Sequence, residues 1–248
     1  IGDIVGSVYE WKDHKGKRFP LFAPGCRATD DSLMTLAVAR AFQEAQQAGK
    51  LLEADTVLPL LAREMRRIGQ KYPDAGFGGK FRYWLFHPEM GAYGSFGNGA
   101  AMRVSGGLVR FHSGRSPAAG CPFLPGDPQP SGFLSGCPGR GGSGVPGPAA
   151  QDPRPDPHLS PPVLSPGFPA GGNPGDATCS GSVPQALESF LEAKDFEDAI
   201  RNAVSLGGDT DTLAAIAGSI AEPFFGIPEQ ILEEGRKFYL PEMIQAVK

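Results

Sequence analysis

The stretch "GGDTDTLAAIAGSIAE", residues 207–222, sets two glycines and four polar side chains ahead of an apolar stripe. Leu213, Ile216, Ile220 and Phe224 recur at helical spacing, so a helix runs on from Asp211 and ends near Pro223 and Gly226. A helix start needs one side chain to accept from its free N–H groups. Asp209, Thr210, Asp211 and Thr212 offer four. The same surplus stands at Thr29-Asp30-Asp31-Ser32, ahead of a second stripe of Leu33, Leu36, Ala37 and Phe42, with Thr29 as the expected cap. Two readings compete. Capping together with the helix dipole, worth about 0.5–2 kcal/mol per cap, accounts for one carboxylate per helix. Adjacent carboxylates repel unless a cation lies between them, and clustered Asp and Thr oxygens suit a hard divalent ion such as Mg²⁺. Neither cluster holds His or Cys, which argues against zinc.

The surrounding sequence is helical as well. "DTVLPLLAREMRRIG" (55–69) reads as a helix with Pro59 in its first turn, where a missing N–H is tolerated. Ser182 and Pro184 open "VPQALESFLEA" (183–193), and Asp195 caps "FEDAIRNAVSL" (196–206) with Asp198 at the third position, as in a capping box. "IPEQILEEGRKFY" (227–239) reads as the last amphipathic helix. Strand-type alternation is absent over any useful length, so the expected class is all-α.

Two further polar elements stand out. In "GDIVGSVYE" (2–10), Asp3 and Glu10 are two helical turns apart and would share a face. Glu10 reads either as a solvated helix residue or as a mobile carboxylate closing over metals. In "GSFGNGAAMRVS" (94–105), glycines permit close backbone approach and lead into a helix-like run. That arrangement suits an anionic phosphate, or is a plain Gly-rich turn.

Residues 106–178 are unlike the rest. They hold runs such as "PGDPQPSG" and "QDPRPDPHLSPP", and between 111 and 180 there is no Lys, Glu, Ile, Met, Tyr or Trp. Such a composition cannot bury enough apolar surface to offset ordering, so the segment is expected to be irregular. It is either a natural Pro/Gly-rich insertion or the product of a wrong reading frame in a GC-rich gene, the second being preferred. The expectation is one domain over 1–248, interrupted at 106–178. A net charge of −4 gives no sign of a nucleic-acid partner, and no apolar run reaches the length of a membrane span. Cys26, Cys121, Cys137 and Cys179 form no C-x-x-C pair, so neither a zinc site nor a disulfide framework is expected, and the cytoplasm is the expected compartment. Ile1 falls inside a patterned segment, as though a few residues preceded it, with no leader of the secretory kind.

Taken together, "GDIVGSVYE" (2–10), "TDDSLMTLAVA" (29–39), "FGNGAAMRVS" (96–105), "SGSVPQAL" (180–187) and "GGDTDTLAAIAGSIAE" (207–222) resemble the ADP-ribosylglycohydrolase family and occur in its order. "KYPDAGFGGKFRYWL" (71–85) is similar to bacterial members, and the resemblance covers about 1–105 and 179–248. It implies an orthogonal multi-helix fold with two Mg²⁺ ions at the base of a cleft. Thr29, Asp30, Asp31 and Asp211 would ligate one ion, and Asp209, Asp211 and Thr212 the other, with Asp211 bridging. Glu10 would help position or activate water beside Asp30, Asp31 and Asp211, and Ser95, Phe96, Gly97 and Asn98 would cradle the substrate's diphosphate. The implied reaction is hydrolysis of the N- or O-glycosidic bond of ADP-ribose in ADP-ribosylated proteins or small conjugates, through an oxocarbenium-like transition state. One departure stands against this. In the family "MRVS" is followed by P-x-G and further helices, one with a His-containing segment. Here it runs into "GGLVRFHSGRSPAAG", and His112 and His158 match no family position. A non-catalytic member of the fold, crystallin-like or damaged, is the alternative; the complete ligand set favours an enzyme, and the altered middle segment favours inertness of this particular chain.

Overall fold

The computed structural model describes residues 1–12, 14–105 and 176–246. The described residues are all-α, as expected, with no strand among them and a single isolated β-bridge between Gly97 and Thr178. The first helices are α1 (Gly2–Gly6), α2 (Asp30–Gln47), α3 (Ala54–Lys71), α4 (Gly79–Phe86) and α5 (Gly99–Arg103). After residue 175 come α6 (Cys179–Leu191), α7 (Phe196–Ser205), α8 (Thr210–Phe225), α9 (Glu229–Arg236) and α10 (Pro241–Ala246). The irregular segment expected at 106–178 lies outside the described residues except for Asp176, Ala177 and Thr178. No helix among the described residues is long and apolar enough to cross a membrane.

Two apolar clusters organise the helices. One joins α2, α3 and α4 through Leu33, Met34, Phe42, Leu61, Met65, Ile68 and Leu85. The other joins α1, α6, α7 and α8 through Val5, Phe190, Phe196, Ile200, Val204, Leu213 and Ile216. Burial of such side chains contributes about 1.5–3 kcal/mol each before ordering costs are counted. The central helix is α8, which packs on α1, α6 and α7 and also touches α2 and α5. Its inner face is lined by small residues, with Ala214, Ala217 and Ala221 wholly buried. Helix α1 therefore approaches closely, and two glycines make the approach possible. A Cβ on Gly2 would stand 1.9 Å from the Ala214 carbonyl oxygen, and one on Gly6 2.4 Å from that of Thr210. The Thr210 hydroxyl donates to the Gly6 carbonyl at 2.9 Å, sealing the contact.

Several sequence expectations are met and several are corrected. Thr29 and Asp195 cap α2 and α7 as read from the sequence, Asp195 accepting from the Asp198 N–H at 2.8 Å. Pro59, placed in a first turn, is the sixth residue of α3, because the helix begins at Ala54. Its ring is exposed, as is Asp55, whose carbonyl loses a helical partner and can be hydrated. Helix α6 starts at Cys179, with Thr178 as cap accepting from the Gly181 N–H at 3.1 Å; Ser182 and Pro184 lie inside it. Asp3 and Glu10 do not share a helical face, since α1 ends at Gly6 and the chain turns through 7–11. The C-terminal helix read from the sequence is α9, and a shorter α10 follows, where buried Glu242 meets Lys71 and Tyr72 and holds its carboxyl near 2 against its own burial.

Candidate metal centre

The starts of α2 and α8 meet beneath α1, at the floor of a cleft of about 910 Å³. Glu10, Asp30, Asp31, Asp209, Asp211 and Thr212 line that cleft, with Ser95, Gly97 and Asn98 on its wall. Residues some 180 positions apart in sequence are therefore brought into direct contact: the Thr212 hydroxyl donates to Asp31 Oδ2 at 3.3 Å. Carboxylate oxygens of Asp3, Asp31 and Asp211 lie within 4.8 Å of one another, as do those of Glu10, Asp209 and Asp211. Asp211 belongs to both groups.

Asp3, noticed in the sequence but given no role, organises the first group. Its Oδ2 accepts from the backbone N–H of Thr29 at 3.0 Å and of Ser32 at 3.1 Å, and its Oδ1 from the Thr29 hydroxyl at 2.6 Å. Helix α2 is thus capped chiefly from α1, while the Thr29 side chain accepts from Asp31 at the longer distance of 3.4 Å. The sequence offered only a partial signal, an acidic residue beside two glycines four positions apart; that this glycine face packs on α8 is seen in the structure. Asp30 is fixed by its N–H to the Ala75 carbonyl at 3.0 Å, and its Oδ1 lies where a Cβ at Gly76 would intrude to 2.8 Å.

The second group is held by Asn98. Its side-chain amide donates to Asp209 Oδ2 at 2.6 Å and to Ser182 Oγ at 2.8 Å, and its own N–H bonds the Ala177 carbonyl at 2.9 Å. Asn98, expected at the diphosphate, therefore has its side chain turned to the acidic floor. Phe96 is 81 % exposed and does not line the cleft. Ser182 was read only as a helix opener; its partnership with Asn98 spans 84 positions, which no local pattern could reveal.

The electrostatics are those of a site short of positive charge. Burial, followed by repulsion from Asp3, pushes the Asp30 carboxyl up to about 7. Burial and then Glu10 and Asp209 push Asp211 up to about 9, and burial with Asp3 and Asp211 drives Asp31 well above the usual carboxylate range. Glu10 is raised in the same way, with a hydrogen bond from Trp11 opposing. Among the described residues one buried carboxylate oxygen, Asp31 Oδ1, has no hydrogen-bond partner. A cation answers each of these features at once: it neutralises the repulsion, satisfies the orphaned oxygen and is matched by an all-oxygen donor set. The residues present therefore fit a hard divalent ion.

A family model described as ADP-ribosylglycohydrolase matches residues 1–123 and 150–242. The match runs beyond Ser105 and resumes before Cys179, so of the compositionally distinct segment only 124–149 falls outside it. An uncharacterized protein of Archaeoglobus fulgidus is 48% identical over 52 residues, which is 21% of this chain and 17% of that protein's length. No solved structure gives a significant match.

Proposed function

Since the chain belongs to the ADP-ribosylglycohydrolase family, we propose that its acidic floor holds two Mg²⁺ ions and that the cleft hydrolyses the glycosidic bond of ADP-ribose. The substrate would be an ADP-ribosylated protein or a small ADP-ribose conjugate. The observation that carries this reading is the sharing of Asp211 between two carboxylate groups built from opposite ends of the chain. Thr29, Asp30, Asp31 and Asp211 would hold one ion, and Asp209, Asp211 and Thr212 the other. Bound there, the ions supply Lewis acidity to an oxygen-rich substrate.

The chain's own groups then have separable tasks. Asp3 fixes the start of α2 so that Asp30 and Asp31 face the cleft. Asn98 fixes Asp209 at the start of α8. Glu10, half-buried at the cleft's edge, would accept a proton from the attacking water through its carboxylate as that water approaches the anomeric carbon. The backbone of the Ser95–Asn98 loop would face the diphosphate, with the Gly97 N–H already held on Ser95 Oγ at 3.2 Å.

The decisive measurement is Mg²⁺-dependent release of free ADP-ribose from an ADP-ribosylated protein by the full chain, beside Asp211→Ala. Loss of a group shared by two ions is expected to lower the rate by about 10³-fold or more, on the scale of removing a central catalytic group. Equal rates for the two proteins, or release that persists undiminished in EDTA, would overturn the proposal.

A further inference from the structure

The substrate read above carries two negative phosphates, yet the floor of the cleft presents five carboxylates from Glu10, Asp30, Asp31, Asp209 and Asp211. The two ions proposed there would offset most of that charge, and a cation on the cleft wall would favour the diphosphate further. Among the described residues four basic side chains line the cleft, and three are committed elsewhere. Arg63 pairs with Glu44 and Glu64. The Arg66 guanidinium stacks 4.2 Å from the centre of the Trp84 ring and donates to the Met90 carbonyl at 3.0 Å. Arg103 is buried, 5.7 Å from the Phe81 ring centre.

Lys80 is different. It is exposed in the first turn of α4, its Nζ lies 4.6 Å from the Tyr93 ring centre, and it donates to the Gly94 carbonyl at 3.2 Å. Among the described residues no carboxylate lies within ion-pairing distance of it. Of three ammonium donors, the Gly94 bond uses one. The Gly94 carbonyl immediately precedes Ser95, so the charge stands at the edge of the loop assigned to the diphosphate. Beside it the wall is open among the described residues, since a Cβ on Gly78 or Gly79 would meet none of their atoms within 4 Å.

We propose that Lys80 is a substrate-binding residue, its ammonium holding the diphosphate of ADP-ribose against the Ser95–Asn98 loop. This rests on the ADP-ribose reading and adds to it a cationic side chain for the diphosphate. Tyr93 beneath the ammonium limits its sweep, and Gly94 ties it to the loop it serves.

The test compares Lys80→Gln and Lys80→Arg with the parent, all as full chains with Mg²⁺, by titration calorimetry against ADP-ribose and adenosine at several salt concentrations. Gln keeps a donor for the Gly94 carbonyl and removes the charge. ADP-ribose binding to Lys80→Gln is expected to weaken about tenfold, the size of a lost charge-assisted hydrogen bond. Adenosine binding should hold, the salt dependence for ADP-ribose should flatten, and Lys80→Arg should recover most of the affinity. Unchanged ADP-ribose affinity in Lys80→Gln, an equal loss for adenosine, or an unchanged salt slope would each overturn the assignment. If the parent binds ADP-ribose and releases it from modified protein while Lys80→Gln is silent, only the lysine's role falls. If the parent does neither, the ADP-ribose reading falls and the lysine's role with it.

Discussion

The starts of α2 and α8 look alike in sequence and are built differently. At α2 the free N–H groups of Thr29 and Ser32 are taken by Asp3, a residue of another helix. At α8 the residue in the cap position makes no capping bond: Asp209 is turned toward Asn98, and Thr210 toward the Gly6 carbonyl, while Asp211 Oδ1 accepts from the Thr212 N–H at 3.0 Å. At α2 an outside residue caps the helix and releases Asp30 and Asp31; at α8 Asp209 is released and Asp211 spends one oxygen on its own helix. A polar cluster that serves its own helix would show the opposite arrangement, each carboxylate bonded to the N–H groups behind it.

The contrast makes predictions of graded size. The largest concerns the closeness of α1 that brings Asp3 into place. Gly6→Ala sets a methyl group against the backbone of Thr210 and Asp211, and should cost about 3 kcal/mol or more, measured by urea unfolding. A loss under about 0.5 kcal/mol would mean that α1 does not seat where its contacts indicate. Next, Asp3→Ala leaves the Thr29 and Ser32 N–H groups and the Thr29 hydroxyl without their acceptor, and should cost about 2–3 kcal/mol. A cost no larger than that of an ordinary exposed cap would refute the borrowed-cap account of α2.

The third prediction concerns charge. Asp30 at about 7 and Asp211 at about 9 stand above their unfolded values near 4, so the folded state holds extra protons across the interval. The stability they contribute is complete below about pH 4 and is lost as pH rises through 7 and 9. In EDTA the melting temperature should therefore fall between pH 5.5 and 8.5, by on the order of 5 °C, and Mg²⁺ should flatten the dependence. A metal-free protein that melts higher at pH 8.5, with Asp211→Asn showing the same profile, would count against a repulsive cluster. The smallest effect is at the seam itself: Thr210→Val removes one hydroxyl bond to Gly6 and should cost about 1 kcal/mol. It should do so without altering metal binding, whereas loss of Mg²⁺ affinity would place Thr210 among the ligands.

The helices were legible wherever the signal was local. Leu33, Leu36, Ala37 and Phe42 are all buried on α2 as their spacing implied, and Asp195 caps α7 as its position implied. Convergence of the two acidic helix starts was also expected, as an implication of the family resemblance rather than of periodicity. Ser182 was expected to open α6, but its hydroxyl accepts from Asn98, and Thr178 caps the helix. Asp3 and Glu10 were assigned one helical face by spacing alone, while α1 ends at Gly6 and the chain turns through 7–11. The partners of Ser182 and Asp3 lie many positions away, and local preference cannot weigh them.

At Gly97 and Thr178 the two strands of chain are clasped, and the Asn98 N–H is bonded to the Ala177 carbonyl at 2.9 Å. The stretches that lead into α5 and α6 are thereby fastened to each other. Because Asn98 also donates to Ser182 within α6 and to Asp209 at the start of α8, the fastening reaches the acidic floor. One amide side chain therefore sets the spacing of three helix starts, and a change at Asn98 would be felt at all of them.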